Sequence, residues 1–180
     1  LGIPAAHVVG ASMGGMIGQL VAALHPARTL SLTSIMSTTG ARHLPQPSVR
    51  IRRELLRRPR EPVTTETLLE HYEHLFGVIG SPGYPTPPDE FRARIRRAVE
   101  RGYHPAGFLR QLGAILASGD RSALLGRITC PTLVIHGKSD PLVPYQGGVD
   151  TAYRIRDARL VLLDGFGHDF PAPLFERFAD

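Results

Sequence analysis

Ala5-Ala6-His7-Val8-Val9-Gly10-Ala11-Ser12-Met13-Gly14-Gly15 decides how the rest of the chain is read. Its first half is a short apolar run of the kind that buried parallel strands show. After the Gly-rich turn, Ile17, Leu20, Val21 and Leu24 recur at helical spacing until Pro26 stops the pattern. Thr29 to Met36, rich in Leu, Ile and Thr, reads as a second strand. Strand, helix and strand in this order form a βαβ unit, which requires parallel pairing and a right-handed crossover. Gly10 to Gly14 fits G-x-S-x-G, set between a strand and a helix as a nucleophile elbow requires. Such a turn forces Ser12 into a strained conformation that points its Oγ away from the sheet, and close approach of the chain excludes bulk at positions 10 and 14. The helix beginning near Gly14 aims its N-terminal N–H groups at the serine. Among them, the Met13 N–H is well placed to donate to a developing oxyanion.

Outward from this unit, residues 41–125 hold no convincing strand. Leu68, Tyr72, Leu75 and Phe76 share a helical face, as do Phe91, Ile95 and Val99, and again Phe108, Leu112, Ile115 and Leu116. The loop from Gly80 to Pro88 divides the zone, and Asp89 is expected to cap the helix after it. From residue 126 the alternation resumes. Thr132 to Ile135 reads as a strand, Tyr145 to Ile155 as a helix, Ala158 to Leu163 as a strand, and Pro171 to Asp180 as the start of a final helix. The expected fold is therefore α/β, a mostly parallel sheet of about four strands. Residues 1–40 and 126–180 form its two parts, and 41–125 is an inserted all-helical segment.

A serine hydroxyl is a weak nucleophile until a base takes its proton, so a histidine and an orienting acid are needed. His7 lies inside a strand, His25 ends a helix, and His71 and His74 sit on the helical segment. His168 instead lies in Asp164-Gly165-Phe166-Gly167-His168, directly after the last strand, at the carboxyl edge where open α/β sheets gather their ligands. Asp140 lies in the loop after the preceding strand, within His136-Gly137-Lys138-Ser139-Asp140-Pro141-Leu142-Val143-Pro144. Each alone reads equally well as a turn residue. Ser12, Asp140 and His168 together occupy three loops at one sheet edge. Asp164 and Asp169 rank below Asp140 as the acid, because a neighbour of His168 tends to point away from its ring. Cys130, before Pro131 and a strand, reads as a buried small hydrophobe.

Composition narrows the alternatives. The 180 residues include one Cys, so no disulfide forms within the chain, and no apolar run is long enough for a membrane span. With no span and no visible signal peptide, the expected location is the cytoplasm. The net charge of +5 is concentrated in residues 41–125, which carry 14 Arg against 9 acids. Arg52, Arg53, Arg57 and Arg58 alternate with Leu55 and Leu56 as on a solvated helical face, and no aromatic residues interleave with them. Nucleic acid is therefore not expected as a partner. No metal-ligand spacing and no G-x-G-x-x-G fingerprint occurs, so no cofactor is expected. The expected partner is a small-molecule substrate, and the sequence fixes no oligomeric state.

These motifs resemble the α/β-hydrolase superfamily along nearly the whole chain. Val8 to Gly15 looks like its elbow, Pro131 to Gly137 through Asp140 to Pro144 like its acid loop, and Gly165 to His168 like its histidine loop. Residues 41–125 match the position of its helical cap. Within them, Arg101 to Pro105 and Gln111 to Asp120 resemble cap segments of ester hydrolases similar to aclacinomycin methylesterase. The resemblance implies Ser12 as nucleophile, His168 as general base and acid, Asp140 as the group orienting the imidazole, and hydrolysis of a small to medium apolar carboxylic ester. Tyr103, His104 and Phe108 are weaker candidates for lining the substrate pocket. The superfamily also admits thioester, amide or carbon–carbon hydrolysis and perhydrolysis, whereas Ser12 disfavours its Asp-nucleophile chemistries. A ligand-binding module or an inactive fragment is a reading of a different class. Members carry strands and a His-Gly loop before the elbow that this sequence does not show. That difference leads to the expectation that these 180 residues alone are poorly stable and weakly active.

Overall fold

The computed structural model describes residues 2–179, and Asp180, at the end of the expected final helix, lies outside them. Four strands, β1 (Ala6–Ala11), β2 (Thr29–Ile35), β3 (Thr132–Gly137) and β4 (Arg159–Leu163), form one sheet in the order β1-β2-β3-β4, every pair parallel. The sheet and the all-helical stretch between β2 and β3 match the expected fold class. Helix α1 (Met13–Leu24) crosses from β1 to β2, and α7 (Gln146–Arg154) from β3 to β4. Between β2 and β3 lie α2 (Val49–Leu55), α3 (Thr65–Ile79), α4 (Pro88–Arg101), α5 (Pro105–Ser118) and the short α6 (Ser122–Leu125). A 3-10 turn at Ala172–Leu174 leads into α8 (Phe175–Ala179).

Strand alternation sends β2 side chains to opposite faces, and each face has its own core. On one, Leu32 packs with Ala22 and Ala23 of α1, Leu125 of α6, and Ile128 and Ile155. On the other, Ile35 packs with Ile135, Leu163, Phe166 and Leu174. Burying a Leu or Ile at such a position stabilises the fold by about 1.5–3 kcal/mol relative to leaving it exposed. Leu125 thus sits in the α/β layer although it closes the stretch read as the inserted segment. Cys130 is only half-buried, packed at the margin of the first core. β1 forms one edge of the sheet, with Val9 68% exposed.

Capping explains where the intervening helices begin. The Ser48 hydroxyl accepts from the Ile51 N–H at the start of α2, and Thr64 and Thr67 cap α3 reciprocally. α4 differs from the sequence expectation. Pro88 takes its first position, where a missing N–H costs nothing, and Asp89 falls inside the first turn instead of capping it. α2 ends at Leu55, so Arg57 and Arg58 lie beyond the helix that they were expected to flank. Phe76 meets Phe91 edge-on across α3 and α4, with ring centroids 5.5 Å apart. Neither α4 nor α5 buries a residue.

Candidate active site

The register sets the site. Ala11 pairs with Ile35, Ile35 with Ile135, and Gly137 with Leu163, so all four strands end close together and their following loops share one rim. Ser12 leaves β1 at φ 52° and ψ −119°, a left-handed conformation costly for a residue with a Cβ. Backbone and side-chain hydrogen bonds hold it there. The Ser12 N–H donates to the Ile35 carbonyl at 2.9 Å, the Ser37 hydroxyl donates to the Ser12 carbonyl at 2.8 Å, and that carbonyl also accepts the Gly15 N–H at 3.0 Å.

Tight packing imposes glycine, though not where the motif alone suggests. A Cβ at Gly10 would collide with the Gly14 backbone, as expected for the turn. A Cβ at Gly14 would meet nothing within 4 Å, so that position tolerates bulk. The second restricted position is Gly15, where a Cβ would come within 2.6 Å of the Ser37 Cβ. The motif marks the local turn; the obstruction comes from the end of β2, which only the tertiary structure reveals.

Asp140, His168 and Ser12 converge. One Asp140 oxygen accepts the N–H groups of Leu142 and Val143 at 2.9 and 2.8 Å; the other lies 2.7 Å from His168 Nδ1. A carboxylate only accepts, so Nδ1 carries a proton and Nε2 is left to accept from the Ser12 hydroxyl, 3.0 Å away. Asp140 and His168 are buried and Ser12 is half-buried. Burial works to raise the Asp140 carboxyl, but the nearby His136 ring, the hydrogen bond and charge of His168 and the Val143 N–H outweigh it and hold the group below the usual carboxylate range. Met13 begins α1, where an N–H has no intrahelical acceptor.

His136, which the sequence offers only as part of the acid loop, is fully buried at the end of β3. Its Nε2 donates to the Val143 carbonyl at 2.8 Å and stands 3.6 Å from Asp140, bracing the loop that carries the acid. Ser37 and His136 are both supports that sequence reasoning missed, because the roles of both arise only from the contacts that the fold creates. Asp164 is exposed and pairs with Lys138 at 3.0 Å. Asp169 accepts from the Ser81 hydroxyl, and burial pushes its carboxyl up against the opposing influence of Ser81, Arg94 and His168. Other histidines serve elsewhere: His7 bonds Ser31 on the exposed edge strand, His25 caps α1, and His74 contacts Glu54 and Arg57.

Tyr103 is half-buried in the turn before α5, His104 is exposed at that helix's N-cap, and Phe108 is 41% exposed on α5. Among the described residues no hydrogen bond joins them to Ser12, Asp140 or His168. A cleft of about 620 Å³ opens beside the acid loop, lined by Phe76, Tyr84, Phe91, Ser139 and Asp169 among others. Another of about 640 Å³, lined by Gly2, Ile3, Pro4 and Arg28, lies at the opposite ends of the strands, away from Ser12, Asp140 and His168. No helix among the described residues is long and apolar enough to cross a membrane.

A parallel sheet with a strained serine at a strand-to-helix turn, backed by a histidine and a carboxylate from later loops, defines a class. The chain belongs to the alpha/beta hydrolase fold family, whose sequence model matches residues 1–171. It is 32% identical to rhodomycin D methylesterase DnrP of Streptomyces peucetius, over 98% of this chain and 65% of that protein. It is 31% identical to the pimeloyl-[acyl-carrier protein] methyl ester esterase of Chromobacterium violaceum, over 86% of this chain and 59% of that protein. A hydrolase from Pseudomonas aeruginosa superposes with a TM-score of 0.63 at 25% identity, covering 89% of this chain and 57% of its own. The chain thus spans less than two thirds of the length of these relatives.

Proposed function

We propose that the protein is a serine hydrolase that cleaves a small to medium apolar carboxylic ester through an acyl-enzyme intermediate. The observation that carries this is the pair of hydrogen bonds linking Asp140 to His168 at 2.7 Å and His168 to Ser12 at 3.0 Å. In this reading Ser12 Oγ attacks the ester carbonyl carbon as His168 Nε2 takes its proton. The negative charge gathers on the carbonyl oxygen, to which the Met13 N–H donates. Asp140 keeps the proton of the neutral ring on Nδ1 and stabilises the imidazolium that forms. When the carbonyl reforms, the bond to the leaving oxygen breaks and His168 returns its proton to that oxygen. Water then attacks the acyl carbon with the same base, releasing the acid and restoring Ser12.

The methylesterase and methyl ester esterase names of two relatives support a methyl ester as the first substrate class to test. Residues 41–125 would form a cap over the site, with Tyr103, His104 and Phe108 contributing apolar and polar walls to the pocket. The test is steady-state hydrolysis of methyl esters of apolar acids by the full-length protein. Multiple turnovers abolished by Ser12→Ala support the proposal; turnover retained by Ser12→Ala, or a single stoichiometric burst with no turnover, counts against it.

A further inference from the structure

Residues 165–169, which carry the candidate base, are fastened to the loop after α3. The His168 N–H donates to the Ile79 carbonyl at 2.7 Å, and the Gly83 N–H donates to the Gly165 carbonyl at 2.9 Å. The two backbones pass so closely that a Cβ at Gly83 would lie 2.8 Å from the Gly165 Cα, and one at Gly167 would strike the Gly80 carbonyl. At the centre is Ser81, a buried residue with no place in the chemistry above. Its hydroxyl accepts the Gly167 N–H at 2.9 Å and donates to the Asp169 carboxylate. Those are the two residues that flank His168 in the chain. A hydroxyl is suited to this position because a single atom accepts from one side and donates to the other. By comparison, one backbone bond, from the Ser139 N–H to the Phe166 carbonyl at 3.1 Å, ties this segment to the acid loop.

We propose that Ser81 is a positioning residue for His168: by bridging Gly167 and Asp169 it fixes the backbone on both sides of the histidine and so directs Nε2 at Ser12. The inference rests on the hydrolase reading for its kinetic consequence, but not for its geometry. Two neighbouring contacts make the attachment continuous along the chain. The Arg94 guanidinium on α4 donates to the Phe170 carbonyl at 2.9 Å, and the Ala172 N–H reaches the Thr86 hydroxyl at 3.4 Å. A displacement of the loop after α3 would therefore displace the imidazole from the serine.

The experiment compares wild type, Ser81→Ala and Ser81→Thr in the full-length protein, with two readouts. One is the rate at which a fluorophosphonate modifies Ser12; the other is the proton resonance of His168 Nδ1–H. Because a misplacement of about 1 Å costs on the order of 100-fold in rate, Ser81→Ala is expected to react roughly 10–100-fold more slowly. Its KM for an ester substrate should stay unchanged while its Nδ1–H resonance shifts or broadens. Ser81→Thr, which keeps the hydroxyl, should restore both. A Ser81→Ala protein with wild-type rate and resonance overturns the inference, as does a Thr variant as impaired as Ala. Should Ser81→Ala fail to fold, Asp169→Ala removes the acceptor instead, and an unmoved resonance there overturns the inference equally. Absence of any Ser12 modification in wild type would sink the hydrolase reading alone, since the resonance still decides whether Ser81 holds the ring.

Discussion

The sheet and the helical segment hold the three candidate catalytic groups by different means. Ser12 and Asp140 are mounted where strands end in register and where the Ser12 turn leaves no room for a side chain at Gly10 or Gly15. The helical segment has Leu68 and Leu69 buried at its base on α3, yet α4 and α5 bury nothing, and Leu116 is 74% exposed. It meets the histidine-bearing segment through the short loop against residues 165–169 and through Arg94 of α4. Ser12 and Asp140, the proposed nucleophile and acid, thus depend on the core, while His168, the proposed base, depends on both regions. Chemistry that requires all three in line is then sensitive to the join between the two regions as well as to either core.

Substitutions can separate the two supports, the largest effect coming from the proposed nucleophile. Ser12→Ala is expected to lower turnover by about 10^6-fold, as loss of a nucleophile does in comparable triads, while the thermal midpoint stays near wild type. A residual activity close to wild type would mean that another residue attacks. Asp140→Asn keeps the shape but favours the wrong tautomer of His168, and a fall of roughly 10^4-fold is expected.

The same variant tests the electrostatics. The Asp140 carboxyl is held below its ordinary range in the folded protein, so its charge contributes stability that is fully present above the unfolded carboxylate value, about pH 4. That contribution is lost as pH falls through the lower folded value. Asp140→Asn should therefore flatten the fall of the unfolding midpoint with pH on the acid side of about pH 4. An acid limb as steep as in wild type would assign the slope to other carboxylates.

Stability should divide along the same line as the two regions. Leu32, 1% exposed at the centre of the first core, should cost about 2–5 kcal/mol when cut to Ala. Leu116→Ala on α5 should change unfolding free energy by no more than about 0.5 kcal/mol. Chemical denaturation of both variants checks the contrast. Equal losses would show that α5 is packed as tightly as the sheet in solution.

Much of this was legible in the sequence because it rests on short-range patterns. The apolar run before Gly10 and the helical spacing after it specify a βαβ unit, and the placement of Asp140 and His168 on loops after later strands puts them at the rim where Ser12 stands. The exceptions lie where one segment meets another. Position 15 is obstructed by Ser37 at the end of β2, 22 residues downstream in the chain, so the turn motif gives no sign of it. Ser81 sits in a Gly- and Pro-rich stretch that reads as an ordinary loop, and its role exists only because residues 165–169 fold against it. His136 looks like strand sequence, and only its burial beside Val143 marks it as a support. The apolar spacing of α5 predicts a helix correctly but cannot say how much of its apolar face a partner covers.

The convergence of Ser12, His168 and Asp140 is tested most directly by mapping the adduct that a fluorophosphonate leaves on the full-length protein and on its His168→Ala variant. A single adduct on Ser12 is expected, forming orders of magnitude more slowly once the imidazole is gone. An adduct on a different residue, or one on Ser12 that forms equally fast without His168, would contradict it.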